Sequence, residues 1–539
     1  MFKNDIKNYS IIFIVCIFAF FVNNDVIPAD LMEARNIATA QEMVKEGNFL
    51  TPTLNGELRL AKPPLPTWIS AVITFIKPGN LALHRAAAGA VATLMVFFMY
   101  LLTLTLSNNR KLSLITALVL TTSFSVTMMG KTATWDIYCH SFMLGGIYYL
   151  VRAFQHVGAQ WRRFALAGIF MGLSFLSKGP VSFFALLLPF LIAFFAIYKK
   201  QSVKGKMLPI INMILICVVI SSWWSLYILI FHKEMMLATA ETESSAWINR
   251  NVRPFYYYWK FAAEAGIWAT FWLTALVWTY WKKRMQDKKL YMFSIIWTVA
   301  ALILLSIVPE KKSRYLLPTL IPAALNVGMY IYYCTQRMTK GEGRLFRLNA
   351  TIIVAVLTAL PVGLYIVFFQ KGYIGLPLYL LISILALTIA GTIIYFLYNR
   401  REIKVMQTFY GLIAVMILVE SLCFIPVSKM FINDNFHSIS EVRKIPEVAN
   451  LPFYHIKDEF LRIELVYEAD KIIRPLDIND NENLKELTPF VLVSSAHADE
   501  MIKAGNFIFE DIGVYDNNWR KKGEKGYNLD MVRYLTVVK

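Results

Sequence analysis

Residues 376–396 read LPLYLLISILALTIAGTIIYF, twenty-one positions with no charged side chain and no continuous polar face. A helix apolar on every side is buried either in a large core or in lipid. At about 1.5 Å per residue, a run of this length matches the hydrocarbon thickness of a bilayer. Comparable blocks recur near 9–23, 84–106, 111–129, 136–154, 163–177, 180–198, 208–231, 261–281, 291–308, 316–334, 349–369, 374–398 and 406–426. An α-helical polytopic membrane protein with about 13 transmembrane helices is therefore expected. Composition agrees, since 57% of the 539 residues are hydrophobic and 17% charged, against about 25% charged in a soluble domain. That excludes an ordinary soluble enzyme. The first block resembles a signal-peptide core, but no small-residue cleavage site precedes Asn23, Asn24 and Asp25, so it reads as a retained helix.

The formal charge of +18 fits either a nucleic-acid binder or a membrane protein with basic cytoplasmic loops, and position decides between them. With the N-terminus inside, the cytoplasmic connections carry Lys3 and Lys7, Arg110 and Lys111, Arg162 and Arg163, Lys199 to Lys206, Lys282 to Lys289, Arg337 to Arg347, and Arg400 to Lys404. Every one is basic, and no nucleic-acid partner is implied. The odd number of spans then puts the loop 24–83, the turns 130–135 and 309–315, and the polar tail after Pro426 outside. Outer turns should be poor in cations, yet Lys131, Lys178, Lys311, Lys312 and Arg314 lie there. They either meet lipid headgroups and the tail or gather around an anionic ligand such as a phosphate. The five cysteines stand singly, without metal-ligand or CxxC spacing.

In the first outer loop, 31–46 reads as a short helix along the membrane surface. Ala34, Ile37, Ala38 and Val44 form its apolar side, and Gly47 stops it. Asp30, three residues before Glu33, is placed to cap it, with Glu33 as the other half of a capping box. Either carboxylate is equally placed, at a helix start, to accept a proton from a hydroxyl. Next, Lys62-Pro63-Pro64-Leu65-Pro66-Thr67-Trp68 holds one ammonium in a proline-stiffened segment that leads into a second surface helix, 65–76. A phosphate partner accounts for that isolated lysine. Tyr256, Tyr257, Tyr258 and Trp259 line either a sugar or acceptor path or an interfacial belt.

After Pro426 the pattern becomes mixed and polar, with apolar runs at Phe490 to Val493 and Tyr534 to Val538 and a helical stretch at 496–504. The expected division is a transmembrane domain over 1–426, which includes the outer loop 24–83, and a small α/β domain over 427–539. The C-terminal domain caps the outer face or shapes an acceptor site. A lipid or solute transporter is the rival reading, but most charges gather at helix ends and the two halves show no repeat.

An ordered set of motifs adds to this. It comprises Glu33-Ala34-Arg35 with Gln41-Glu42-Met43, then Lys62-Pro63-Pro64, then Lys131 with Asp136. Leu176-Ser177-Lys178-Gly179-Pro180 and Lys311-Lys312-Ser313-Arg314-Tyr315-Leu316-Leu317-Pro318 complete it. In this set the chain resembles the GT-C membrane glycosyltransferases, the superfamily of protein O-mannosyltransferases and bacterial lipid A aminoarabinose transferases. The resemblance implies an inverting transfer of a sugar from a polyprenyl phosphate donor to a lipid, glycan or protein acceptor, in the bacterial inner membrane, with the C-terminal domain periplasmic. It implies Glu33 or Asp30 as catalytic base and Asp136 as a second functional carboxylate, a role compatible with a salt bridge from Asp136 to Lys131. Lys62, Lys178 and Arg314 would hold the donor phosphate, Tyr315 would line the same cavity, and no metal or other cofactor would be needed. Two departures stand out. Met32 occupies the position before Glu33 where relatives carry Asp, and Ala61 precedes Lys62 where the lipid A enzymes carry Glu. With His232 the only histidine in the loop 232–260, no metal site is expected there.

Overall fold

The computed structural model of the chain describes residues 2–198, 205–399, 402–502 and 506–539. Most of the basic stretch Lys199 to Lys206, the start of Arg400 to Lys404 and the end of the helical stretch 496–504 lie outside the described residues. The chain is predominantly helical and divides into two compact units. One comprises Met1–Asn24, Ala61–Pro66 and Arg85–Pro426, the other Asp25–Leu60, Thr67–His84 and Val427–Lys539.

Among the described residues, seven helices are long and apolar enough to cross a membrane. They are Leu81–Ser107, Met207–Phe231, Lys288–Ile307, Ser313–Gln336, Lys340–Phe369, Leu376–Tyr398 and Val405–Met430. Each coincides with an expected span. The block at 111–129 is a bent pair, Arg110–Thr121 and Phe124–Gly130, with an angle of 68° between its halves. Three of the other five expected spans fall short for identifiable reasons, and the total of about thirteen stays an expectation. Trp161–Lys178 carries Arg162, Arg163 and Lys178, and within 180–198 the apolar helix Phe183–Tyr198 is too short. The expected continuous helix at 261–281 is replaced by short pieces, Phe261–Glu264, Gly266–Trp268, Ala269–Ala275 and Trp278–Trp281. Gly266, with φ +62°, breaks the helical run, and a side chain there would press on Phe124.

Four helices matter below: α1 (Leu31–Glu46), α2 (Trp135–Gln155), α3 (Trp161–Lys178) and α4 (Lys233–Asn249). Pro180 and the left-handed Gly179 end α3, whose last turn is closed by the Gly179 amide donating to the Phe175 carbonyl at 2.6 Å. α2 and α3 approach closely because Gly146 has no side chain; a Cβ there would lie 2.8 Å from Met171 Cγ. The Ser174 hydroxyl on α3 also donates to the Cys139 carbonyl on α2. Wide π turns recur at Ile17–Phe21, Tyr365–Phe369 and Val419–Cys423.

In the second unit, five strands form one sheet: β1 (Phe453–Ile456), β2 (Ile473–Leu476), β3 (Phe490–Ser494), β4 (Phe509–Asp516) and β5 (Val532–Val538). Their order is β2-β1-β3-β5-β4, with β1 parallel to β2 and β3, and β5 antiparallel to β3 and β4. The two apolar runs noted in the sequence, now β3 and β5, pair with each other from Phe490 opposite Val538 to Ser494 opposite Tyr534. Strand alternation sends Phe453, Val491, Val493, Leu535 and Val537 into one core, and Tyr454, Ile456, Phe490 and Leu492 into a second. The expected apolar side of α1, through Ala34, Ile37 and Ala38, belongs to the first of these cores. α1 is in fact buried along most of its circumference.

Candidate functional site

The chemistry-bearing residues of the first unit meet where α2 begins and α3 ends. Asp136 lies in the first turn of α2 and Lys178 in the last turn of α3. Each charge has the sign that the nearby helix terminus favours. Their side chains form a buried ion pair, with side-chain exposures of 3% and 9%. The salt bridge considered between Asp136 and Lys131 is not formed, because Lys131 is paired with Glu420 instead. The reason is directional: the helical start at Trp135 turns Asp136 toward the end of α3, while Lys131, in the preceding turn, faces Val405–Met430.

Tyr315 and Arg314 complete this corner. They sit on a short 3-10 turn, Ser313–Leu316, that leads into the helix Leu317–Gln336. The Lys178 ammonium lies 5.0 Å from the centre of the Tyr315 ring, and the Arg314 guanidinium carbon lies 5.8 Å from it. The Arg314 Nε is buried and finds no hydrogen-bond partner among the described residues. A buried guanidinium N–H without an acceptor is suited to an incoming oxyanion.

Lys62 donates to Glu243 Oε2 on α4 at 2.6 Å, with both side chains about one-quarter exposed. Burial pulls the Lys62 ammonium below the ordinary lysine range; Glu243 opposes this, and the nearby charges of Lys178 and Arg250 add to it. Lys62, Lys178 and Arg314 thus bring three positive charges and Asp136 and Glu243 two negative ones, a surplus of one cation. The remaining turn cations have structural duties. Lys311 donates to the carbonyls of Val308 at 2.6 Å and Arg253 at 3.1 Å, and Lys312 pairs with Glu310 at 2.8 Å. Burial acts to raise the Glu310 carboxyl, but Lys312 and Arg250 outweigh it and hold the group below its usual range. Of the aromatic cluster, Tyr258 is buried and hydrogen-bonded to the Lys312 backbone, whereas Tyr256 and Trp259 are exposed.

Asp30 and Glu33 belong to the second unit. Asp30 caps α1, accepting from the Met32 and Glu33 amides at 2.8 Å, and Glu33 accepts from the Asp30 amide at 3.3 Å. The capping box is therefore formed in full. Glu33 is buried, with 1% of its surface exposed. In the neighbouring motif, Glu42 collects the Thr53 hydroxyl and the Asn55 and Gly56 amides. It thereby holds a hairpin turn whose two central residues are both left-handed, at φ 57° and 80°.

Two residues that sequence reasoning passed over matter here, Glu243 and Glu310, and Glu420 was seen only as an acid near a span end; each is the partner of a noted cation. One signal was available for Glu243, since the loop 232–260 holds only Glu234, Glu241 and Glu243 to neutralise an isolated lysine. Among the described residues no group of three or more His, Cys, Asp or Glu side chains is arranged to hold a metal ion.

Residues 9–238 match the family model described as dolichyl-phosphate-mannose-protein mannosyltransferase. An uncharacterized protein of Aquifex aeolicus is 26% identical over 355 residues, 64% of this chain and 66% of its own length. The undecaprenyl phosphate-alpha-4-amino-4-deoxy-L-arabinose arabinosyl transferase of Shewanella sediminis is 24% identical over 362 residues, 63% of this chain and 61% of its own length. The matched stretch thus spans less than two thirds of these relatives. The crystal structure of ArnT from Cupriavidus metallidurans bound to undecaprenyl phosphate aligns with 99% of this chain and 98% of its own, at TM-score 0.66 and 14% identity. This last likeness is one of fold.

Proposed function

We infer from the match of residues 9–238 to that family model and the likeness to the arabinosyl transferases that this chain is a GT-C membrane glycosyltransferase of the protein O-mannosyltransferase and lipid A aminoarabinose transferase superfamily, and that it transfers a sugar from a polyprenyl phosphate to an acceptor hydroxyl or phosphate. The observation that carries the reading is the cation-rich corner of Lys178, Arg314 and Lys62, which contains a buried guanidinium N–H without an acceptor. On this reading the acceptor oxygen bonds to the anomeric carbon as the bond from that carbon to the phosphate oxygen breaks. The electron pair leaves on the phosphate, and preorganised cations stabilise the charge that develops there. Asp136 holds the Lys178 ammonium in place. The acceptor's proton goes to Glu33 or Asp30, an assignment supported by the family resemblance. Glu33, which keeps its place in the motif Glu33-Ala34-Arg35, is the favoured of the two.

The basic loops support an N-terminus in the cytoplasm and a C-terminal domain on the far side of the bacterial inner membrane. The acceptor is a lipid, a glycan or a protein hydroxyl. The test is to give purified protein a labelled polyprenyl phosphate sugar with candidate acceptors of each class, and to identify any copurifying lipid-linked sugar by mass spectrometry. Transfer should depend on Glu33 and Lys62. Full activity in both Glu33→Gln and Lys62→Ala variants would refute the mechanism.

A further inference from the structure

We propose that Glu243 is a built-in competitor for Lys62, a carboxylate that yields to the lipid phosphate and, because it must be displaced, weakens the hold on the spent polyprenyl phosphate. The proposal rests on the donor reading above and goes beyond it.

The geometry is specific. Lys62 and Glu243 are separated by 181 residues of sequence and joined at 2.6 Å. Lys62 comes from a segment stiffened by Pro63, Pro64 and Pro66. Glu243 comes from α4, whose neighbouring positions Glu241, Thr242, Ser244 and Ser245 are all exposed. The rigid partner is therefore the cation, and the carboxylate is carried on a helix with little buried surface. Lys178 and Arg250 lie close enough to Lys62 to repel it. A lysine placed among like charges needs an anion beside it, and Glu243 supplies one.

Charge decides how strongly the phosphate competes with Glu243 for Lys62. A sugar-bearing polyprenyl phosphate is a diester with one negative charge, the same as a carboxylate. Once the sugar has left, the lipid carries a phosphate monoester of about −1.5 to −2 at neutral pH. Lys62 is therefore contested most evenly in the ground state and drawn most strongly toward phosphate as charge builds on the leaving group. An interaction that grows toward the transition state lowers the barrier, whereas uniform binding does not. Glu243 also lowers the affinity for the product lipid, because that lipid must displace it before Lys62 can engage.

The experiment measures binding and dissociation of undecaprenyl phosphate by the full-length protein in detergent. Glu243→Gln should bind about 3- to 10-fold more tightly, mostly through slower dissociation, with Lys62→Ala weaker than wild type. The double variant should match Lys62→Ala, because Glu243 acts through Lys62. A role confined to holding α4 predicts weaker or unchanged binding in Glu243→Gln, and that result overturns the proposal. So does tightening that persists in the Lys62→Ala background. Glu243→Asp, which keeps the charge, serves as a folding control and should bind like wild type; tightening in this variant as well would also count against the proposal. Absence of binding by wild type would instead overturn the donor reading itself.

Discussion

Replacing Asp136 by Asn separates the structural from the functional work of the corner where α2 meets α3. The substitution keeps the shape of the side chain and removes its charge, leaving the Lys178 ammonium, only 9% exposed, without the carboxylate it pairs with. At a contact distance of about 3 Å and an effective dielectric of about 20, the lost attraction is ~5–6 kcal/mol. Relaxation and water entry reduce this to the ~3–5 kcal/mol typical of breaking one side of a buried ion pair. The assay is thermal unfolding in detergent, with and without undecaprenyl phosphate. The variant alone should unfold well below wild type. Ligand at about a hundred times its Kd contributes ~2.7 kcal/mol in the simple linkage case, and it should stabilise the variant more than wild type because the freed Lys178 turns to the phosphate. The double variant Asp136→Asn/Lys178→Met should recover most of the lost stability yet gain little from the ligand. The reasoning is refuted if Asp136→Asn unfolds at the wild-type temperature, or if the double variant is stabilised by undecaprenyl phosphate as strongly as wild type.

Burial lowers the pKa of the Lys62 ammonium; such a group is cationic below its shifted value and neutral above it. Affinity for undecaprenyl phosphate should therefore fall as pH rises, at a lower pH than an ordinary lysine would give, and Lys62→Arg should remove that alkaline limb. A limb that persists unchanged in the arginine variant excludes Lys62 as its source. At the capping box, Asp30→Ala should cost about 1 kcal/mol of stability while Asp30→Ser, also a good N-cap, should cost little. Transfer should survive Asp30→Ser and be lost in Glu33→Gln, and the reverse pattern would assign the base to Asp30.

Features governed by local rules were legible before any coordinates. Seven spans stand where uninterrupted apolar runs stood, and α1 keeps the cap at Asp30 and the stop at Gly47 that its sequence advertised. β3 and β5 follow from two short apolar runs. The helix expected at 261–281 failed because apolar content alone does not reveal a left-handed break at Gly266. At the site, the cations were found and their partners were not. Lys131 meets Glu420 across 289 residues and Lys62 meets Glu243 across 181. Pairings at that range are set by helix packing, which sequence spacing does not encode. The nearest acid along the chain, Asp136, was for the same reason an incomplete guide to the partner of Lys131. Asp136 and Lys178 came together through the close approach of α2 and α3 at Gly146, ten residues from Asp136 and thirty-two from Lys178.

The wide turn at Val419–Cys423 has a further consequence. A π turn takes in one residue more than the α-helix it interrupts, so everything beyond it is rotated by about 100° about the helix axis. It also leaves backbone carbonyls without their usual amides, and here the Asn23 side chain collects two of them, from Glu420 at 2.8 Å and Ser421 at 3.0 Å. Glu420 faces Lys131 from within this turn. The helix thus has a built-in phase shift: deleting one residue between 419 and 423 would leave a regular, equally apolar span whose two ends present different faces to their neighbours. Hydropathy would register no change, and the buried carboxylate would no longer meet its lysine.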